Sequence, residues 1–160
     1  MTQWIDRPLE EARLLNPAFL AALLTAAATD YEKIAGEPMP WTLSFLVPAL
    51  ALPEATREAL PGSVQAHFSS WLQDHPEVRL GFGRRVKPLV PLVREALRLG
   101  LRSGALEVDG GSLRATTQPR PRHEQTTDVA ECFKAARFIG RWFARRHDVA
   151  TIFGLLGVRP

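Results

Sequence analysis

The chain has 160 residues, 46% of them hydrophobic, with a formal net charge of +3 and a pI near 9.6. That length supplies one good core or two small ones, and no run approaches the roughly 18 apolar residues that would span a bilayer. A single cysteine, Cys132, excludes a disulfide framework, so a soluble cytoplasmic protein without a secretory segment is expected.

The net charge conceals a polarity. Residues 1–78 hold ten acids against four Lys/Arg, or −6, while residues 79–160 hold seven against sixteen, or +9. The basic half suits nucleic acid or an acidic protein surface; the plainer reading is an undirected drift of surface charge.

In chain order, residues 1–16 carry a short helical pattern (Leu9, Ala12, Leu14, Leu15). Asn16 and Pro17 then open a helix of about 19 residues: the asparagine caps, and proline suits the first turn. Its apolar stripe is Phe19, Leu20, Leu23, Leu24, Ala27, Tyr31 and Ile34, and Gly36 closes it. Residues 39–52, MPWTLSFLVPALAL, are almost wholly apolar, and periodicity leaves them open between a helix interrupted at Pro48 and a buried strand. A short polar helix begins at Pro53-Glu54 and stops at Pro61-Gly62. Ser63 is expected to cap the next helix, with Val64, Phe68, Trp71 and Leu72 on one face. After His75-Pro76, residues 77–87 predict another, with Val78, Leu80, Phe82 and Val86 apolar.

Residues 88–116 form the most legible stretch. Leu92, Val93, Ala96, Leu97, Gly100 and Leu101 recur at helical spacing, while Arg94, Arg98 and Arg102 fall within about 80° of the circumference at about 100° per residue. Ser103-Gly104 stops the helix. Residues 105–108 and 112–115 then alternate around Asp109-Gly110-Gly111, a hairpin signature. Helices followed by a two-stranded wing match a winged helix-turn-helix. After a polar connector, Asp128 is expected to cap a long helix, with Glu131 completing a capping box. Val129, Cys132, Phe133, Ala136, Ile139, Gly140 and Phe143 form its broad apolar face, and Phe138 and Trp142 face away from it. A short apolar helix ends the chain.

The fold class expected is therefore mainly α with one small β-hairpin: a winged helix-turn-helix-like core with N- and C-terminal helical extensions. Its divisions are an N-terminal helical segment (1–62), a winged-helix-like unit (63–116), a linker (117–127) and a C-terminal helical segment (128–160) that packs back on the core.

No catalytic constellation is visible, and no enzyme, cofactor or metal site is expected. His67, His75, His123 and His147 lack metal-ligand spacing. Gly81-Phe82-Gly83-Arg84-Arg85 lacks the third glycine of a dinucleotide site and the Lys-Ser/Thr pair of a P-loop. Cys132, on an apolar face, reads as a small core residue. Arg84, Arg85, Lys87, Arg94, Arg98, Arg102 and Arg114 are the candidates for contact with nucleic acid or an acidic partner; the alternative is a solvated surface. An arginine-only polar face favours backbone or protein contact over base reading. Phe138, Arg141, Trp142, Arg145, Ile152, Phe153, Leu156, Val158 and Arg159 are the candidate protein interface; the alternative is that the N-terminal helices cover them.

Three stretches carry a resemblance: RPLEEARLLNPAF (7–19), WLQDHPEVRLGFGRRVKPLVPLVREAL (71–97) and KAARFIGRWFARRHDVATIFGLLGVRP (134–160). Together they resemble the middle component of three-component ABC systems. Motif positions are Arg7, Pro8, Asn16, Pro17, Trp71, Pro76, Trp142, Gly157, Arg159 and Pro160, several of them architectural. The resemblance implies a winged-helix-like, kleisin-like adaptor that links an SMC- or Rad50-like ABC ATPase to an effector, with double-stranded DNA met through the complex and no membrane. Such systems are similar to Lamassu-type antiviral and anti-plasmid defences. The resemblance brings no catalytic residue. The alternative reading is a stand-alone winged-helix DNA-binding regulator.

Overall fold

Helix α1 (Pro17–Ala35) begins where the sequence caps it. Asn16 accepts from the Ala18 N–H at 2.8 Å, Pro17 fills the first turn, and the helix ends on Gly36 in the left-handed region (φ 74°). The structure, a computed structural model, describes residues 15–118, 126–146 and 148–160. The helical pattern expected within residues 1–14 lies outside the described residues, as do His123 and His147.

The open question over residues 39–52 resolves into three pieces. Met39–Pro40 is a two-residue strand, β1; Trp41–Phe45 is a 3-10 turn; and Leu46–Ala51 is helix α2, wholly buried. Pro48 does not break α2 because it sits in the first turn, where its missing N–H has no partner to lose. Helix α3 (Glu54–Ala59) follows as expected.

Two expected helices are corrected. Ser63 caps no helix: its Oγ accepts from the Gln65 N–H at 3.2 Å within a local turn, and helix α4 (Phe68–Asp74) begins five residues later. The helix expected over 77–87 is two, α5 (Pro76–Arg79) and α6 (Phe82–Val86), divided at Gly81 with φ 70°. Leu80, read as part of an apolar face, lies at that break and is 72% exposed.

After a 3-10 turn (Lys87–Leu89), helix α7 (Val90–Arg102) leads into strands β2 (Leu106–Asp109) and β3 (Ser112–Ala115). Leu92, Val93, Ala96 and Gly100 of α7 are buried, whereas Leu101, expected on that face, is 41% exposed. The hairpin is antiparallel, with Leu106 opposite Ala115 and Asp109 opposite Ser112. Only Gly110 of its turn has positive φ (60°), as when the first central residue alone is left-handed. Strand β1 adds to the other edge of β3, giving the order β1-β3-β2, with Met39 opposite Leu113. The hairpin is therefore part of a three-stranded sheet that includes a piece of the N-terminal half.

Helix α8 (Thr127–Arg146) and helix α9 (Val149–Leu156) complete the described chain. The expected cap on α8 is displaced by two residues. Thr126 Oγ1 accepts from the Val129 N–H at 3.3 Å, while Asp128 pairs with Arg57 instead. Asp148 caps α9 by accepting from the Thr151 N–H at 2.8 Å. Among the described residues no helix is long and apolar enough to cross a membrane.

Helices α1 and α8 form the centre, and α1 also packs on α7 and β3. Leu20, Leu23, Leu24, Ala27 and Ala28 of α1 meet Cys132, Ala136, Ile139 and Phe143 of α8 in one buried cluster that also takes in Met39, Leu113 and Leu106. The crossing is close because the facing residues are small. A methyl group at Gly140 would overlap the Ala27 carbonyl oxygen and lie 2.9 Å from its carbon. Gly100 plays a lesser version of this role, since a Cβ there would come within 2.5 Å of Leu106 Cδ1.

Gly140→Ala is expected to cost about 1–3 kcal/mol in urea unfolding, because the obstacle is backbone and cannot rotate away. A loss below about 0.5 kcal/mol, the range of neutral surface changes, would contradict the close crossing. Ser44 gives the opposite expectation. Its Oγ is buried and has no hydrogen-bond partner among the described residues, so Ser44→Ala should leave stability unchanged or raise it by about 1 kcal/mol. A clear loss in the same assay would show that the hydroxyl has a partner.

Candidate functional site

The cationic side chains fall into two groups according to what they touch. Arg57, which no sequence pattern singled out, is nearly buried (side chain 8% exposed). It donates to the Ala51 carbonyl at 3.2 Å and to the Leu52 carbonyl at the end of α2, donates to Cys132 Sγ at 3.3 Å, and pairs with Asp128 on α8. Burial pushes the Cys132 thiol above its ordinary range, and Asp128 and Glu131 add to the rise while Arg57 opposes it. The thiol is a core group held in its neutral form.

Three candidate contact residues, although more exposed than Arg57, are likewise bonded within the chain. Arg85 donates to the Leu80 carbonyl at 2.9 Å and to the Val78 carbonyl, and its guanidinium lies 5.6 Å from the Phe82 ring centroid. It secures the α5–α6 break. Arg114 on the hairpin binds Glu32 at 3.2 Å, with Glu107 at 3.6 Å and Asp109 at 3.9 Å; the Glu32 hydrogen bond and charge raise its pKa further. It ties the sheet to α1. Arg141 pairs with Asp30, which also holds Lys33 at 3.3 Å, and so bridges α8 to α1. Arg145 is exposed beside Gln65, whose amide oxygen, turned towards it, accepts at 3.0 Å.

The interface assignment is corrected for four apolar residues. Trp142 is 1% exposed, Ile152 0%, Phe153 4% and Leu156 1%. Cover for Trp142 comes from the chain itself, though from the 59–72 region rather than from the N-terminal helices. Phe68 meets it edge-on at 4.9 Å and Trp71 at 5.2 Å, and its indole N–H donates to the Ala66 carbonyl at 2.8 Å. Trp71 donates likewise to the Ala59 carbonyl at 2.7 Å. Two large aromatics thus find polar partners for their N–H groups, Trp142 fastening the irregular segment to α8 and Trp71 fastening it to α4. Phe138, 5.5 Å from Trp142, is only partly buried.

The second group is exposed. Arg84, Lys87, Arg94, Arg98, Arg102 and Arg159 face solvent, and none of them has an acidic partner within the described residues. The arginine stripe of α7 nevertheless divides. Arg98 and Arg102 line a groove with Asn16, Pro17, Ala18, Glu95 and Leu99, at the start of α1. Arg94 lines a different feature, a cleft of about 210 Å³ whose walls come from three parts of the chain. Trp41, Phe45 and Leu46 form one wall and Val86 and Val90 the second, while Val158 and Arg159 close the third. Val158 is set there by Gly157, left-handed at the end of α9, and by its own N–H to the Phe153 carbonyl at 3.1 Å.

Trp41 was missed in the sequence. It sits in a continuous apolar run where no period separates core from surface, yet it is 43% exposed and packs edge-on against Phe45 at 5.7 Å. Among the described residues no group of His, Cys, Asp and Glu is arranged to hold a metal ion. What these surfaces offer is cationic and apolar contact.

A family model described as ABC-three component (ABC-3C) system Middle Component 3 matches residues 4–160, nearly the whole chain. No curated protein and no solved structure matches the sequence.

The two groups of side chains should behave oppositely. Trp142→Ala is expected to lower stability by about 3–5 kcal/mol, as for a buried aromatic truncated without collapse of its site. Arg98→Glu with Arg102→Glu should leave thermal unfolding within about 0.5 kcal/mol of the parent. The reverse ranking would overturn the division. Cys132 should resist a thiol-specific disulfide reagent in the folded protein and react once urea unfolds it; rapid labelling of the native chain would place the thiol at the surface.

Proposed function

We propose that this chain, which belongs to the Middle Component 3 family of ABC-three component systems, is a non-enzymatic adaptor that joins an SMC- or Rad50-like ABC ATPase to an effector in a cytoplasmic defence complex against phage or plasmids. The observation that carries this reading is the character of the exposed surface. Its notable features are arginines with no acidic partner among the described residues and an apolar cleft, both suited to holding another macromolecule. The arginines paired within the chain support the same reading, because they tie α8 and the sheet to α1. A rigid presenting surface lowers the cost of ordering a partner on it.

In this scheme DNA is met through the assembled complex. Arg98 and Arg102, spaced one helical turn apart, neutralise phosphates or an acidic face of the ATPase. A stand-alone winged-helix regulator is the second reading, favoured by the exposed arginines on the helix that precedes the hairpin. The exposed residues there offer little for reading bases, since arginine and aliphatics dominate.

Co-expression of the chain with the other two components of its own system tests the reading. A complex that holds all three through gel filtration is expected, with loss of ATPase–effector association when this chain is omitted. If the chain elutes alone and instead binds one DNA sequence as a symmetric dimer, the regulator reading replaces the adaptor. In the intact complex, Arg98→Glu with Arg102→Glu should reduce DNA stimulation of the ATPase about tenfold or more. Unchanged stimulation would assign those arginines to solvent.

A further inference from the structure

We infer that the cleft lined by Trp41, Phe45, Val86, Val90, Arg94 and Arg159 is the docking site for an acidic segment of a partner protein, one that inserts an aliphatic or aromatic side chain between carboxylates. The inference rests on the adaptor reading and names the surface through which one connection is made.

Three observations carry it. The first is composition. The floor is apolar (Phe45, Leu46, Val86, Val90, Phe153), and both charged residues that line it, Arg94 and Arg159, are cationic. Such a cavity accepts an apolar side chain and favours carboxylates at its edges, where arginine offers paired N–H donors. The second is availability. Arg94 and Arg159 are exposed and have no acidic partner among the described residues, whereas Arg57, Arg114 and Arg141 are each committed to a carboxylate of the chain. Arg84 and Lys87, within two residues of the lining residue Val86 in sequence, are exposed as well and add to the positive charge of that segment. The third is the state of Trp41. An indole left 43% exposed in a cleft that arginines also line combines two residue types that dominate the energetics of protein interfaces. The size fits too. A cleft of about 210 Å³ takes an anchor side chain rather than a folded element, so the bound element is a short segment with one principal anchor.

The architecture adds a reason for the site to be specific. Its three walls come from residues 41–46, 86–94 and 158–160, which meet only in the folded protein. Gly83 helps close the wall between α6 and the end of the chain, where a Cβ would already touch Val158 Cγ1 at 3.5 Å. The cleft is thus preformed, which reduces the ordering cost to that of the partner segment.

The test uses the three-component complex and two variants of this chain, Trp41→Ala and Arg94→Glu with Arg159→Glu, each checked for a parental melting curve. Both should weaken capture of one of the two partner components about tenfold or more, and raised salt should weaken the parent but not the charge-reversed variant. A photo-reactive benzoylphenylalanine at position 41 should cross-link to that component within a stretch that carries acids around an apolar residue. Charge reversal of those acids to arginine should restore binding to the Arg94→Glu/Arg159→Glu chain. If the parent assembles and both variants assemble equally well, the cleft is not the docking site although the adaptor reading stands. Cross-linking to a second copy of this chain or to nucleic acid overturns the proposed occupant. A parent that binds neither component overturns the adaptor reading, and the docking inference with it.

Discussion

The close crossing of α1 and α8 at Gly140 constrains the rest of the molecule, because it lets the Ala27 backbone approach within contact of the neighbouring helix. Small residues on α1 (Ala21, Ala26, Ala27, Ala28) make that approach possible, and the larger Leu20, Leu23 and Leu24 fill the space beside it. At such a separation the two helices share one layer of side chains, and the pair presents a single surface to everything else. Helix α7 and the sheet then pack on the exposed side of α1, while α2 packs on α8. The Asp30–Arg141 pair fixes the same crossing by a charge-assisted bond. Arg57–Asp128 does the equivalent at the far end of α8, where it also satisfies the last carbonyls of α2.

The other consequence concerns the second apolar side of α8. With α1 on one side, Phe138 and Trp142 face outward, and the sequence offers no reason why the same chain should return to cover them. It does so with a segment that contains almost no helix. Residues 59–67 lie over the indoles because the two tryptophans donate to backbone carbonyls there, and Phe68 and Trp71 seal the edge. Fastening an irregular loop by side-chain donors satisfies backbone carbonyls that secondary structure would otherwise pair. It also removes Trp142 from the outer surface, leaving a partner to use other residues there.

What could be read in the sequence was local. The Asn16-Pro17 start of α1, its end at Gly36, the hairpin around Gly110 and the apolar face of α8 each depend on residues within a few positions of one another. The features that escaped depend on distance along the chain. Strand β1 exists only because β3, some seventy residues on, offers Leu113 and Ser112 to Met39 and Pro40. Arg57 is an ordinary helix arginine until Asp128 and Cys132 are placed beside it. Thr126 and Asp128 are both reasonable caps, and a distant arginine decided between them by claiming the carboxylate. The break at Leu80-Gly81 had a local signal in its glycine, but hydrophobic spacing across it argued for continuity. The candidate interface mixed legible and illegible parts: exposure of Arg94, Arg98 and Arg102 followed from periodicity, whereas the exposure of Trp41 did not.

This distinction changes what the charge of the second half means. A count of sixteen Lys/Arg against seven acids over residues 79–160 suggests a broadly basic surface. In the folded chain Arg85 is spent on carbonyls, and Arg114 and Arg141 on acids of α1. Part of the positive charge of the second half is therefore cancelled by the negative first half, inside the molecule. The two halves differ in sign partly because they are each other's partners. Among the described residues the exposed cations of the second half include Arg79, Lys134 and Arg145 as well as Arg84 on α6 and the neighbouring Lys87, Arg94 and Arg159 at an apolar cleft, and Arg98 and Arg102 at a groove that also contains Glu95. A duplex lying along the molecule would be met by a long, uniform cationic track. Small cationic groups set against apolar walls instead favour discrete contacts with proteins, where each arginine has a place and the apolar surface between them supplies most of the affinity.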